Sequence, residues 1–124
     1  MANPNPDDSD AIFEGVARYC SLLSEPMRVK ILHCICTEEK SVSSIVSETG
    51  ASQTNVSRHL NTLYAANVLR RRKSGNFVYY SVQDHLLTDI CRLVCINVIA
   101  APATNNGLDD QALDLARDFQ GANI

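Results

Sequence analysis

Apolar residues after Ser52 recur at the spacing of one buried helix face. Val56, Leu60 and Leu63 occupy positions i, i+4 and i+7 of this pattern, which predicts a helix. Ser52 is a favourable N-cap, because its hydroxyl can accept a backbone N–H of the first turn, and Asn67 can supply a left-handed residue at the end. The opposite face carries amide, hydroxyl and guanidinium groups without a carboxylate: Thr54, Asn55, Arg58, Asn61 and Thr62.

Four further helices are predicted from the same kind of pattern. One covers Val42–Thr49, between the cap Ser41 and Gly50, and a very short turn joins it to the helix after Ser52. A polar turn at Glu38–Lys40 precedes it. The other three helices are predicted at Ser9–Leu23, Pro26–Ile35 and Asp84–Ala100. Two helices joined by a tight turn, the second with a polar outer face, form a helix-turn-helix.

A two-stranded hairpin, or wing, is predicted directly after the helix-turn-helix. Val68–Lys73 is an extended basic segment, Ser74–Asn76 carries turn residues, and Phe77–Val82 is rich in β-branched and aromatic residues. The predicted fold is therefore mainly α with a small β-hairpin, a winged helix-turn-helix with five main helices and a two-stranded wing.

Three short motifs occur in a distinctive order: Ser24–Arg28, Ser52–Leu60 and Val78–Ser81. Together they resemble the arsenic-repressor (ArsR/SmtB-type) family of dimeric winged-helix repressors, and the resemblance covers about residues 12–100. It implies a transcriptional repressor that binds an inverted-repeat operator in double-stranded DNA. It also implies a homodimer formed through the first and fifth helices. No Cys-x-x-Cys, glycine-rich phosphate loop or nucleophile–base motif is present, so neither an enzyme nor a catalytic residue is expected.

The charge is distributed as DNA binding requires, although the net charge of the 124 residues is -3. Between residues 40 and 73 the only acidic residue is Glu48, and the six basic residues are Lys40, Arg58, Arg70, Arg71, Arg72 and Lys73. Acidic residues gather near both ends. We expect a disordered tail at residues 1–8, one DNA-binding and dimerisation domain at 9–100, and an acidic extension at 101–124. A basic centre on an acidic molecule predicts a positive DNA-facing surface.

Ten residues are candidates for DNA contacts: Ser52, Gln53, Thr54, Asn55, Ser57, Arg58, Asn61, Arg71, Arg72 and Lys73. Arg58 and Asn55 are expected to reach base edges, because their bidentate groups match guanine and adenine. The wing cations are expected to contact a phosphate or a narrow minor groove; the alternative is that they only solubilise the hairpin. His59, at the margin of the apolar face, is expected to be packed rather than to read bases.

The fifth helix is apolar on nearly every side, so one face should pack on its own core and another on a partner chain. No apolar run approaches the length of a membrane span, and the first residues lack the regions of a signal peptide. We therefore expect a cytoplasmic protein without a membrane contact, whose cysteines are reduced.

Five cysteines are the candidate sensing thiols: Cys20, Cys34, Cys36, Cys91 and Cys95. Cys91 and Cys95 share one helix face, whereas Cys34 and Cys36 can address one ligand only if their helix ends near Ile35. A buried cysteine is also often a small inert hydrophobe.

The resemblance to the ArsR family leaves the inducer open. The family's Cys-x-Cys pattern in the third helix is missing. Of its fifth-helix zinc ligands only Asp84 could match, because Leu86, Asn97 and Ala100 occupy the other positions. A subset of the family pairs a second-helix with a fifth-helix cysteine to sense persulfide or oxidants, which implies Cys34 or Cys36 with Cys91 or Cys95.

Two alternatives remain beside that thiol switch, and no cofactor is expected with it. One is a thiophilic metal or metalloid, As(III) or Cd(II), bound by Cys34, Cys36, Cys91 and Cys95, because soft metals select sulfur. The other is a DNA-binding protein without a sensor, controlled by a protein partner.

Overall fold

Five α-helices and a small antiparallel sheet make up residues 6–101, which the computed structural model describes. The helices are α1 (Pro6–Cys20), α2 (Pro26–Ile35), α3 (Val42–Thr49), α4 (Gln53–Ala65) and α5 (His85–Ala100). The strands are β1 (Lys40–Ser41), β2 (Leu69–Ser74) and β3 (Phe77–Val82). Residues 1–5 of the expected tail and residues 102–124 of the expected acidic extension lie outside the described residues.

The predicted helix-turn-helix is confirmed, with its caps. The Ser41 hydroxyl accepts the Ser44 N–H at 3.2 Å, and Gly50 ends α3 with a positive φ of 72°. A side chain is strained in that conformation, so glycine is favoured there. The Ser52 hydroxyl accepts the Asn55 N–H at 3.2 Å to begin α4, and Asn67 after the helix has a φ of 62°.

Two helix boundaries differ from the prediction. α1 begins at Pro6 rather than Ser9, because proline is well tolerated in a first turn. It ends at Cys20, and Ser21–Leu23 form a 3₁₀ helix in place of the last predicted turn. The hydroxyl of Ser24 donates to the Ser21 carbonyl at 2.6 Å, which closes this tighter turn.

The sheet has a strand that was predicted as a turn. Lys40 and Ser41 pair with Tyr80 and Tyr79 of β3, so the strand order is β1-β3-β2. The wing itself is as predicted, paired from Leu69–Val82 to Ser74–Phe77. A two-residue strand has no periodicity of its own, and its pairing depends on the edge that β3 offers. β1 therefore attaches the wing to the helical body.

The core lies beneath α4, as the apolar spacing predicted. Val56, Leu60 and Leu63 are fully buried. They pack with buried residues of the neighbouring elements: Ile31, Leu32, Ile35, Ile45, Val68, Leu69, Leu87 and Cys91. The recognition helix is thus held rigidly by its inner face, while its outer face remains accessible.

The first and fifth helices expose apolar side chains. At least half of the side chain is exposed at Ile12, Phe13, Val16, Leu86, Leu93 and Val94. Such clustering is unusual for a free surface and marks an interaction site. Within residues 6–101, no helix combines the length and the apolarity needed to cross a membrane.

Candidate nucleic-acid interface

The outer face of α4 presents the predicted DNA-contacting residues to solvent. Gln53, Thr54, Arg58 and Asn61 are exposed, and Asn55 and Ser57 are partly exposed. Ser52 is used as the N-cap of the helix. α4 therefore displays donors and acceptors of the kinds that recognise bases and phosphates.

The two expected base-reading residues are joined in the free protein. Arg58 Nη2 donates to Asn55 Oδ1 at 2.7 Å. This bond holds the guanidinium along the helix one turn from the amide, so the pair is ordered before it meets DNA. Contact with two bases requires this bond to open or to rotate.

A groove of about 660 Å³ runs between α4 and the wing. Gln53, Ser57 and Asn61 line its α4 side, and Arg71 and Lys73 line its wing side. None of the described residues lining it is acidic. The structure thereby brings five of the candidate residues onto one continuous surface.

Arg71 ties the wing to the recognition helix. Its guanidinium carbon lies 4.2 Å from the centre of the Tyr64 ring on α4, a cation–π contact. The Tyr64 ring in turn meets Tyr80 edge-on, with centroids 6.5 Å apart. Sequence reasoning missed Tyr64; its only signal was an aromatic residue away from the apolar face of α4.

Arg72 lies on the other face of the wing. Its Nη2 is 2.6 Å from Glu39 Oε1, its Nε is 3.2 Å from both carboxylate oxygens, and its guanidinium carbon is 4.7 Å from the Tyr79 ring centre. The hydrogen bond from Arg72 lowers the pKa of Glu39. Successive strand residues point to opposite faces, so Arg71 and Lys73 share the groove while Arg72 does not.

His59 is packed beneath the interface, as expected. It is buried, and its Nδ1 lies 3.4 Å from Arg28 Nη1. Arg28 also donates to the Leu22 and Ser21 carbonyls at 2.8 and 3.0 Å. Burial, then the charges of Arg58 and Arg28, lower the pKa of His59. The imidazole is therefore neutral near pH 7 and links α2 to α4.

The candidate thiols fall into separate environments. Cys91 is buried in α5; burial, then the thiols of Cys95 and Cys36, raise the pKa of Cys91 to about 12. Cys36, the C-cap residue of α2, is thus a neighbour of Cys91, and its thiol donates to the His33 carbonyl at 3.1 Å. Burial also raises the pKa of the half-buried Cys95.

Cys34 and Cys20 lie elsewhere. Burial, then the Glu48 carboxylate, raise the pKa of Cys34, and Lys40 Nζ holds that carboxylate at 2.9 Å. Cys34 therefore adjoins α3 and β1, and Cys20 is exposed at the end of α1. In the described part of the chain, no group of three or more His, Cys, Asp or Glu side chains is placed to hold a metal ion.

Known proteins share this chain's sequence pattern. The model of the family described as "Bacterial regulatory protein, arsR family" matches residues 25–71. The transcriptional repressor SdpR of Bacillus subtilis is 33% identical over 67 residues, which are 54% of this chain and 74% of SdpR. The chain belongs to the arsR family of bacterial regulators. Because these proteins are transcriptional regulators, the expectation that the chain is not an enzyme is confirmed.

Two further similarities extend the assignment to this arsR-family fold. The nodulation protein NolR of Rhizobium meliloti is 32% identical over 78 residues, 63% of this chain and 64% of NolR, so the chain spans less than two thirds of that relative. A structure titled as the homodimeric winged helix-turn-helix DNA-binding domain of Mb0332 from Mycobacterium bovis is 26% identical. Its TM-score is 0.65, over 77% of this chain and 88% of that one.

The arsR-family match reaches unequally over the two candidate sites. Residues 25–71 contain α2, α3, α4 and Arg71 of the wing. They include Cys34 and Cys36 but not Cys20, Cys91 or Cys95. Membership of the family therefore bears on the DNA-facing surface more directly than on the thiols.

Proposed function

We propose that this arsR-family chain is a transcriptional repressor that binds an inverted-repeat operator as a homodimer. The observation that carries the proposal is the acid-free groove in which Gln53, Ser57 and Asn61 of α4 face Arg71 and Lys73 of the wing. Side chains on a recognition helix reach base edges in the major groove, and wing cations neutralise flanking phosphates. A regulator of this kind acts on DNA in the cytoplasm.

The exposed apolar residues of α1 and α5 support the homodimer. Ile12, Phe13 and Val16 on α1 and Leu86 and Leu93 on α5 are more than half exposed. A second copy burying these faces about a two-fold axis would present two recognition helices about 34 Å apart, one turn of DNA. The homodimeric title of the Mb0332 structure supports the same assembly for a relative.

Selection from a random duplex pool tests the proposed DNA binding. The enriched sequences are expected to contain an inverted repeat whose half-sites lie about 10 base pairs apart, centre to centre. Sedimentation of the protein with a selected duplex should give two protomers for each site. Failure to enrich any sequence, or occupancy by one protomer, would contradict the proposal.

Replacing Lys73 by alanine is expected to weaken binding to all sequences and to reduce the salt dependence. Lys73 lines the groove, and loss of one phosphate contact lowers the slope of log K against log salt by about 0.9. Titrations at several salt concentrations measure this slope. The matched control is Arg72→Ala, expected to change the slope less because Glu39 already partners that guanidinium. An equal or larger change for Arg72→Ala would show that Arg72 leaves Glu39 to bind DNA.

The same proposal includes release of DNA by modification of cysteine thiols. The nearness of Cys36 and Cys91 across α2 and α5 favours this pair among the candidates. The Cys36 thiolate would take one sulfur atom from a polysulfide, which leaves shortened by that atom. The Cys91 thiolate would then attack the Cys36 sulfur, expel hydrosulfide and form a disulfide. This bond would tie α2 to α5 and alter the spacing of the recognition helices.

Intact mass and operator binding, followed in the same polysulfide-treated samples, test the thiol switch. We expect loss of two hydrogens, mapped to Cys36 and Cys91, together with DNA release. The reaction should accelerate as the pH rises, because the raised pKa of Cys91 leaves little thiolate near pH 7. Cys36→Ser and Cys91→Ser should abolish release, whereas Cys20→Ser should not.

Other outcomes of this experiment separate the remaining inducers. Release by As(III) or Cd(II) but not by polysulfide would favour a metal or metalloid bound by thiolates drawn from Cys34, Cys36, Cys91 and Cys95. DNA retained after every treatment would exclude an intrinsic thiol sensor, and control by a protein partner would become the better explanation.

A further inference from the structure

Two charged residues one turn apart on α5 have polar atoms without partners. Asp89 Oδ1 and Arg92 Nε are buried, and neither has a hydrogen-bond partner among the described residues. Buried polar atoms are nearly always paired, because an unmade hydrogen bond costs stability. The DNA-facing surface does not include these residues, so their charges require another explanation.

Their position on the helix relates them to its exposed apolar face. Leu86 and Leu93 of α5 are more than half exposed. At about 100° per residue, Asp89 lies about 40° from Leu93, and Arg92 lies about 60° further in the same direction. The acid and the base therefore follow one flank of the exposed face.

We propose that Asp89 and Arg92 select the antiparallel pairing of α5 with α5 of a second copy. In this arrangement Asp89 binds the partner's Arg92, and Arg92 binds the partner's Asp89. The inference rests on the proposed homodimer and deepens it by naming the residues that specify its register. The two side chains rotate toward the partner as the apolar faces of Leu86 and Leu93 close over them.

Two-fold symmetry makes this pair self-complementary. In an isologous interface, if residue i contacts residue j, then j contacts i. The same flank of each helix meets in an antiparallel pair, so opposite charges at i and i+3 face each other twice. A parallel pair in the same register would instead place like charges together. The gain is therefore in orientation and choice of partner more than in affinity.

Charge reversal at each position tests the proposal. Asp89→Arg places two cations on the flank, and Arg92→Asp places two anions there. Each variant alone is expected to dissociate into monomers at about tenfold lower dilution or less, because like charges meet in both symmetry-related contacts. An equimolar mixture of the two should form heterodimers in preference to either homodimer. The double variant Asp89→Arg with Arg92→Asp should regain self-association near the wild-type level.

Sedimentation equilibrium of the full chain and co-purification of differently tagged variants provide the measurements. Circular dichroism monitors folding, and Asp89→Asn and Arg92→Gln replace any reversal variant that does not fold; each should then weaken association without restoring it in mixtures. Single variants that dimerise like the wild type, or a mixture with the statistical share of heterodimers, would overturn the pairing alone. A monomeric wild-type chain would overturn the proposed homodimer itself.

Discussion

Replacing Leu60 by alanine is expected to lower the free energy of unfolding by about 2–5 kcal/mol. Leu60 is fully buried on the inner face of α4, between Val56 and Leu63. The truncation removes apolar contact area and leaves a cavity that the packed neighbours fill only in part. Urea unfolding, followed by circular dichroism at one fixed protein concentration, measures the change, because the stability of a dimer depends on concentration.

Thr62→Ala is the matched control on the same helix. Thr62 is exposed, and its hydroxyl donates to the Arg58 carbonyl at 3.1 Å. Its replacement is expected to change the free energy of unfolding by no more than about 0.5 kcal/mol. If Leu60→Ala cost as little as Thr62→Ala, the inner face of α4 would not be the centre of the core.

Replacing Arg58 by alanine is expected to weaken operator binding by about 1–3 kcal/mol and to relax sequence preference at one position of each half-site. Arg58 is exposed on α4, and its guanidinium can bind two acceptors of guanine at once. Both protomers lose this contact, so the change appears in each half-site. Binding to the selected operator, and to operators altered at single positions, provides the measurement.

Arg70→Ala is the control for loss of charge alone. Arg70 is exposed on β2 but does not line the groove between α4 and the wing. Its removal should weaken binding less and leave sequence preference unchanged. Unaltered preference after Arg58→Ala would remove Arg58 from base reading. The hydrogen bond from Arg58 to Asn55 makes Asn55→Ala informative as well, because it tests whether that bond holds the guanidinium ready for DNA.

Most of the fold could be predicted because its signals are local. The helix-turn-helix follows from apolar spacing and from caps at Ser41, Gly50 and Ser52, each formed within a few residues of chain. β1 was missed because two residues carry no pattern, and Lys40 and Ser41 become a strand only when β3 lies beside them. The early end of α1 depends on the tighter turn before Ser24.

The candidate DNA interface was predicted as a set of residues, and the structure divides that set. Strand alternation separates Arg72 from Arg71 and Lys73, but the sequence does not say which face meets α4. Glu39 is 33 positions before Arg72 in the chain, and no local pattern indicated their ion pair. Tyr64 was overlooked for the same reason, since its contact with Arg71 depends on how the wing folds back.

The sequence by itself determined the winged helix-turn-helix, the polar face of α4 and the five thiols, because periodicity, capping and residue chemistry act over short distances. Only the tertiary structure decided which wing cations share the groove and that Cys36, rather than Cys34, neighbours Cys91. It also showed which apolar faces of α1 and α5 remain uncovered. These are contacts between distant segments, and they are set by how the helices and the sheet pack together.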